Sequence, residues 1–343
     1  MLGASRLVAI GRDQVDGSPG IDALKRGRRC QDRELMNNSD ATERAGGTIP
    51  SSDDILQALR QAGWLLEQET AASLQEAGFH VATGKAFPDP DDPTVSREID
   101  VHGYRQLYRS DDLSLSVNVQ VIAECKQSTM PYVLIGGGST PYAQERDRLE
   151  QQFRFPRVVT DVEDIGGGRR RLHSVRAREY LQLDQLPGNP WEPRFLATQM
   201  TRLDRKKTWL ADNRGIFDSL VYPLAKALTH FRAEVRSRMS SGDHVPGQEW
   251  ASVTFYYPVI VTSAPLFAVD TSAATLEAVQ VPWATMTREI QSTKVTGDFN
   301  IDVVTDNALP QYLSERVDRF CLEVGKIAEA EPQRFVTRED LDS

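Results

Sequence analysis

The sequence predicts an α/β fold, a mixed β-sheet flanked by helices, and three observations carry that expectation. A segment with helical spacing of apolar residues, "WLLEQETAASLQEAG" (64–78), is followed in quick succession by strand-like segments at 79–87, 96–109 and 113–126. A run of β-branched and aromatic residues, "EWASVTFYYPVIVTS" (249–263), returns far downstream, as a strand rejoining the same sheet would. Beyond it, "LPQYLSERVDRFCLEVGKIAEA" (309–330) has the apolar stripe of an amphipathic helix.

In chain order, residues 1–50 differ from the rest, with no sustained period, mixed charges and scattered Gly and Pro. Disorder is expected there. The segment has no apolar stretch of the signal-peptide kind, and its Asp residues argue against a mitochondrial leader. Met1 and Met36 are both candidate starts, and residues 1–35 are expected to be dispensable. "SSDDILQALRQAG" (51–63) supplies capping Ser and Asp, helical spacing and a terminating Gly63. The next helix offers Trp64, Leu65, Ala71, Leu74 and Ala77 as a buried stripe. The three strand-like segments that follow are joined by short Asp-, Ser- and Pro-rich turns, the pattern of a meander packed by a helix.

Residues 136–195 carry two Gly triplets and "LPGNPWEP" (186–193), and read as an internal insertion. The triplet at 136–138 lacks the Lys-Ser/Thr of a phosphate-binding loop and is expected to be a flexible connection. A helical pattern is expected across 199–238. The result is one α/β domain over 51–335, with 336–343 as a tail.

Composition narrows the function classes. The chain has 343 residues, 40% hydrophobic and 26% charged, the balance of a soluble globular protein. Its longest apolar segment, "FYYPVIVTSAPLFAV" (255–269), contains two prolines and is shorter than the roughly 18–20 residues a spanning helix needs. It is expected to be buried strand, and no membrane partner is expected. A net charge of −9 excludes a uniformly basic nucleic-acid binder. Basic runs at 169–178, 201–207 and 231–238 are expected to be solvated faces, yet leave room for a surface that contacts phosphates. Cys30, Cys125 and Cys321 lie far apart in no metal-ligand spacing, which points to a reducing, cytoplasmic setting. Neither HExxH nor CxxC occurs, so a zinc site has little support.

Two acid-bearing strands carry the chemistry. Side chains alternate faces along a strand, so Val117, Val119, Val121, Ala123 and Cys125 share one apolar face. Gln120, Ile122, Glu124 and Lys126 share the other. Cys125 is therefore expected in the core rather than at the chemistry. In the preceding strand Ile99 and Val101 are the expected buried pair, with Glu98, Asp100 and His102 on the opposite face. In a hairpin, Asp100 and Glu124 would converge at adjacent strand ends, beside Lys126. Two carboxylates held that close suit a hard divalent cation, which takes oxygen ligands.

Together "GWLLEQETAASLQEAGF", "FPDPDDPTVSREIDV" and "VIAECKQSTMPYV" resemble the PD-(D/E)XK nuclease superfamily over roughly residues 60–135. The resemblance implies a restriction-endonuclease-like core, a Mg²⁺ or Mn²⁺ cofactor, and hydrolysis of phosphodiester bonds, of DNA above all. It assigns Asp100 and Glu124 to the metal, Lys126 to orienting or activating the attacking water, and Glu67 to completing the metal site. Glu69 is the rival helix acid, about 200° further round. The proline of the superfamily's name is missing, since Glu98-Ile99 precedes Asp100. The expected partner is nucleic acid; a second copy of the chain is the other partner considered.

Two alternatives stay open. One is a catalytically inactive nuclease-like module that binds nucleic acid or a protein; the intact Asp100/Glu124/Lys126 set argues for an enzyme. The other is a salt-bridged Lys–Glu–Asp cluster without metal. A second triplet of the same spelling, Asp204-Arg205-Lys206, is read as surface because no strand is expected around it. His102 is expected to be partly buried and hydrogen-bonded, and Trp191, Trp209, Trp250 and Trp283 to pack in the core or an interface.

Overall fold

The computed structural model describes residues 49–138, 149–153, 158–167, 169–192, 194–238 and 251–336. The expectation of disorder for 1–50 lies almost wholly outside these described residues, as do Cys30, Trp250 and nearly all of the 336–343 tail.

Helix α1 (Ser52–Ala62) opens on a reciprocal capping box between Ser51 and Asp54 and ends at Gly63, whose φ of 87° is the left-handed stop. Helix α2 (Trp64–Glu76) starts at that glycine and buries Leu66, Thr70, Ala71 and Leu74. Trp64, expected in the buried stripe, is instead 61% exposed. It lies about 200° round the helix from Leu66, on the side away from the core.

Strands β1 (His80–Pro88), β2 (Ser96–Ser110) and β3 (Leu115–Lys126) form the expected antiparallel meander. The chain then runs through β4 (Tyr132–Gly138), β5 (Gln151–Phe153), β6 (Val158–Asp164), β7 (Arg170–Arg176), the short helix α3 (Ala177–Tyr180), β8 (Phe195–Arg205) and β9 (Trp209–Asp212). A π-helical turn, Phe217–Val221, leads into helix α4 (Tyr222–Arg238). After it come β10 (Ala251–Thr262), β11 (Leu266–Asp270), β12 (Ala278–Gln280), β13 (Trp283–Gln291) and β14 (Thr296–Thr305). Helices α5 (Leu309–Tyr312) and α6 (Arg319–Ala330) are joined by a π-helical stretch, Leu313–Asp318, so the expected C-terminal helix is present with a widened middle.

Among the described residues the main sheet has the order β1-β2-β3-β10-β14-β13-β8-β4-β11-β12, with β5 on β10 and β9 on β8; β6 and β7 form a separate pair. It is a mixed sheet. Strand β10 runs parallel to β3 along its whole length and to β14 over Val259–Thr262. Every residue of β10 is buried, as expected of a central strand paired in parallel on both sides and mostly apolar. Helices α2, α5 and α6 cover one core, which takes Val117, Val119, Val121 and Ala123 of β3. Helix α4 covers another, which takes Ile122, Ile260 and Ile301.

Two expectations are corrected. The triplet Gly136–Gly138 is the end of strand β4, hydrogen-bonded in register with Phe195–Ala197 of β8. A Cβ on Gly136 would stand 2.0 Å from the Leu196 carbonyl oxygen and 2.5 Å from the Ala197 Cα, so close backbone approach at a bulge explains the glycine. Residues 199–212 are mostly strand rather than helix, and Asp204-Arg205 lies in β8, with Lys206 opening the turn to β9. Basic side chains are no obstacle to a strand that faces solvent at a sheet edge. The 136–195 segment contributes β5 to the sheet and Leu181, Leu183 and Trp191 to a core, while the β6–β7 pair stands apart.

Candidate metal centre

The candidate residues gather at the carboxyl end of β3, the end where an α/β sheet offers its parallel strands to a ligand. Val101 pairs with Ala123, and the same register carried one residue further sets Asp100 opposite Glu124. The backbone N–H of Cys125 donates to Asp100 Oδ2 at 2.7 Å, which ties the acid of β2 to the end of β3. On the other side, Glu124, Cys125 and Lys126 pair with Ile260, Val261 and Thr262 of β10, and the Thr262 hydroxyl donates to the Lys126 carbonyl at 3.0 Å. The Cys125 thiol turns toward α2, contacting Thr70 Oγ1 at 3.5 Å, and burial pushes its pKa up. It anchors the strand.

The alternation expected along β2 breaks at Asp100. Ile99 and Val101 are both fully buried, but Val101 lies in the core under α2 and Ile99 in the core under α4. In a regular strand two residues so spaced share a face. Opposite the break, Gly84 of β1 adopts a φ of 59° between the pairs Thr83–Val101 and Lys85–Ile99. The face that Glu124 and Lys126 share with Gln120 and Ile122 is covered over much of its length. Gln120 and Ile122 are buried under α4, so that face is accessible only from Glu124 onward.

Helix α2 brings Glu67 to the cluster from its first turn, where the helix dipole favours a negative charge. Glu69, two residues on, is exposed to solvent. The charges act on one another. Burial, then Asp100 and Glu98, raise the pKa of Glu67. Burial raises that of Asp100, against the Cys125 N–H that holds it down. Burial and the neighbouring Asp100 push Glu124 up to about 8, with Lys126 opposing. Glu124 Oε2 is buried and accepts no hydrogen bond among the described residues. The Lys126 ammonium, half-buried, makes no ion pair among the described residues but acts electrostatically on both Asp100 and Glu124.

Sequence reasoning passed over Glu98. Exposed on β2, it adds negative charge to both Asp100 and Glu67. Its carboxylate occupies the space that Gly84 leaves, since a Cβ there would meet Glu98 Oε1 at 2.8 Å. The signal was present in the placement of Glu98 on the expected Asp100 face. His102 is buried and hydrogen-bonded as expected, with Nε2 2.9 Å from Gln120 Oε1 and its ring against Phe231. Trp191 and Trp283 pack on Phe320 and Tyr312, whereas Trp209 is 50% exposed, contrary to expectation.

Tested against a hard divalent cation, the donor set fits in chemistry. Three carboxylates all have raised pKa values, and one of them presents a buried oxygen without a partner. Among the described residues, however, no three His, Cys, Asp or Glu side chains close on one point. No helix among the described residues is long and apolar enough to cross a membrane. No protein-family model, curated protein or solved structure matches this chain.

Proposed function

We propose that the protein is a metal-dependent phosphodiesterase acting on DNA, with Asp100, Glu124, Glu67 and Lys126 as its working residues. The observation that carries the reading is Glu124: a buried acid at a strand end, crowded by Asp100, with an oxygen that no donor among the described residues satisfies. Such a group is costly in a stable fold unless a cation compensates it. A helix packed on an antiparallel meander, whose third strand is joined by a parallel β10, supports a restriction-endonuclease-like core and the resemblance to the PD-(D/E)XK superfamily. The nuclease, DNA and cofactor assignments rest on that resemblance together with the site's electrostatics.

Asp100, Glu124 and Glu67 are the residues that would hold Mg²⁺ or Mn²⁺. When bound, such an ion polarises a phosphoryl oxygen and makes water more acidic. Asp100 is pre-positioned by the Cys125 N–H, so its carboxylate needs no ordering at the moment of use. Glu124 holds a proton near neutral pH and must release it to serve as a ligand. Lys126 offers positive charge beside the developing charge of the phosphate. Glu67, on a longer side chain from α2, can swing toward Asp100 by rotamer change.

An inactive nucleic-acid-binding module is the second reading, favoured by the carboxylates not closing on one point. Incubation of the protein with plasmid, linear and single-stranded DNA in Mg²⁺, Mn²⁺ or EDTA decides between them. Cleavage that EDTA abolishes supports the enzyme; binding without cleavage in any metal supports the module.

A further inference from the structure

The β8–β9 hairpin is an exposed basic element of the fold. Arg205 pairs with Trp209 across its end, and Lys206, Lys207 and Thr208 form the turn. Residues 205–211 are all exposed, including two large apolar side chains, Trp209 at 50% and Leu210 at 47%. An exposed tryptophan on an edge strand, with no core to serve, calls for an explanation.

Its charge is equally one-sided. Residues 202–214 hold five basic and two acidic residues, a net +3 in a chain of −9. Both acids are already neutralised, Asp204 by Arg202 at 2.9 Å and Asp212 by Arg214 at 2.6 Å. That leaves Arg205, Lys206 and Lys207 at the tip without a carboxylate partner among the described residues. The Arg205 guanidinium lies 5.3 Å from the Trp209 ring centroid, so a cation and an open indole are held together.

The base of the hairpin is tied to the start of β4, which follows β3 in the chain. The Leu203 N–H donates to the Pro131 carbonyl at 2.9 Å, and Arg202 pairs with Tyr132. The hairpin therefore leaves the sheet alongside the segment that begins at Lys126.

We infer that this hairpin docks a single strand of nucleic acid, its cations meeting phosphates and Trp209 stacking on a base. Exposed cations select an anion, but an open indole beside them selects one with planar faces. A duplex supplies phosphates while hiding its base faces, so the strand must be single at this point. The identity of the ligand rests on the phosphodiesterase reading; the surface itself does not.

The test is binding of a short fluorescent single strand, and of its duplex, to the full chain in EDTA. Variants are Trp209→Ala, Trp209→Phe and the pair Lys206→Ala/Lys207→Ala. Trp209→Ala should weaken single-strand binding by roughly 5- to 150-fold, the range of one stacked base, and Trp209→Phe should restore most of it. The double lysine variant should lower the slope of log K against log salt by about 1.4. Wild-type affinity and slope in all three variants would overturn the proposal. So would preference for anionic vesicles over the oligonucleotide, or a dimer that Trp209→Ala dissociates without affecting strand binding. Strand binding through Trp209 with no cleavage in any metal sinks the phosphodiesterase and leaves the docking surface standing. Cleavage with wild-type strand affinity in the variants does the reverse.

Discussion

The Cys125 N–H and the Asp100 carboxylate are joined by a 2.7 Å hydrogen bond, so an acid of one strand caps the backbone of the next. Asp100→Asn keeps an oxygen able to accept that bond while removing the charge. The variant is expected to fold normally and to lose divalent-cation binding. In thermal melts, Mn²⁺ at about a hundred times its Kd should stabilise the wild type by about 2.7 kcal/mol and leave the variant unmoved. Equal stabilisation of both proteins would place the cation elsewhere.

Glu124 is predicted to be a stability liability. Its pKa rises on folding from the ordinary glutamate value to about 8, so the unfolded chain loses a proton that the folded chain keeps. Stability therefore falls as pH rises from about 4.5 toward 8, then levels. Glu124→Gln in EDTA should melt higher at pH 8, by roughly 2 °C for each kcal/mol recovered. At pH 4 the gain should vanish. A variant that melts lower than the wild type at pH 8 contradicts the assignment.

A second buried cluster should behave in the opposite sense. Asp89 is held at about 2 by hydrogen bonds from Lys226, at 2.6 Å, and Arg97, at 2.8 Å, against the burial that pushes it up. Its folded pKa lies below its unfolded value, so its contribution is complete above about pH 4 and lost as pH falls through about 2. Lys226 is itself buried and also lies 3.4 Å from Asp91, which fastens the β1–β2 turn to α4. Lys226→Met leaves the buried Asp89 with the half-exposed Arg97 and the Asp91 N–H, and should cost about 3–5 kcal/mol at pH 7, read by urea denaturation. A loss within about 0.5 kcal/mol, the level of an ordinary surface change, would show that the pair does not hold the turn.

The meander and α2 were legible because each local signal agreed with the fold: Gly63 stops one helix, and alternating valines place β3 in the core. Asp100, Glu124 and Lys126 followed from that register. What was not legible depends on distant partners. Nothing near Ile99 says that it and Val101 enter different cores, because the helices α2 and α4 that cover those cores lie elsewhere in the chain. Nothing in "TRLDRKK" says strand, because its pairing comes from β4 and β9. Glu98 was overlooked because its neighbours on α2 are remote in sequence, and Gly136 because its reason is the backbone of Leu196.

That last glycine gives a stability test remote from the site. Gly136→Ala drives a methyl into the Leu196 carbonyl, and backbone cannot move aside as a side chain can. A loss of roughly 1–3 kcal/mol, or more, is expected in urea denaturation. Gly138→Ala, where a Cβ meets nothing within 4 Å, should lose far less. Equal effects at the two positions would contradict the close approach of β4 and β8.

The most direct measurement is single-turnover cleavage of DNA at saturating protein in Mg²⁺, with affinity taken separately in Ca²⁺. Lys126→Ala should slow cleavage by about a hundredfold or more while keeping its affinity. Exposed Glu69, changed to Gln, should leave the rate unchanged, whereas Glu67→Gln should lower it. Cleavage by Lys126→Ala at the wild-type rate, or none by the wild type in any metal, would contradict the account.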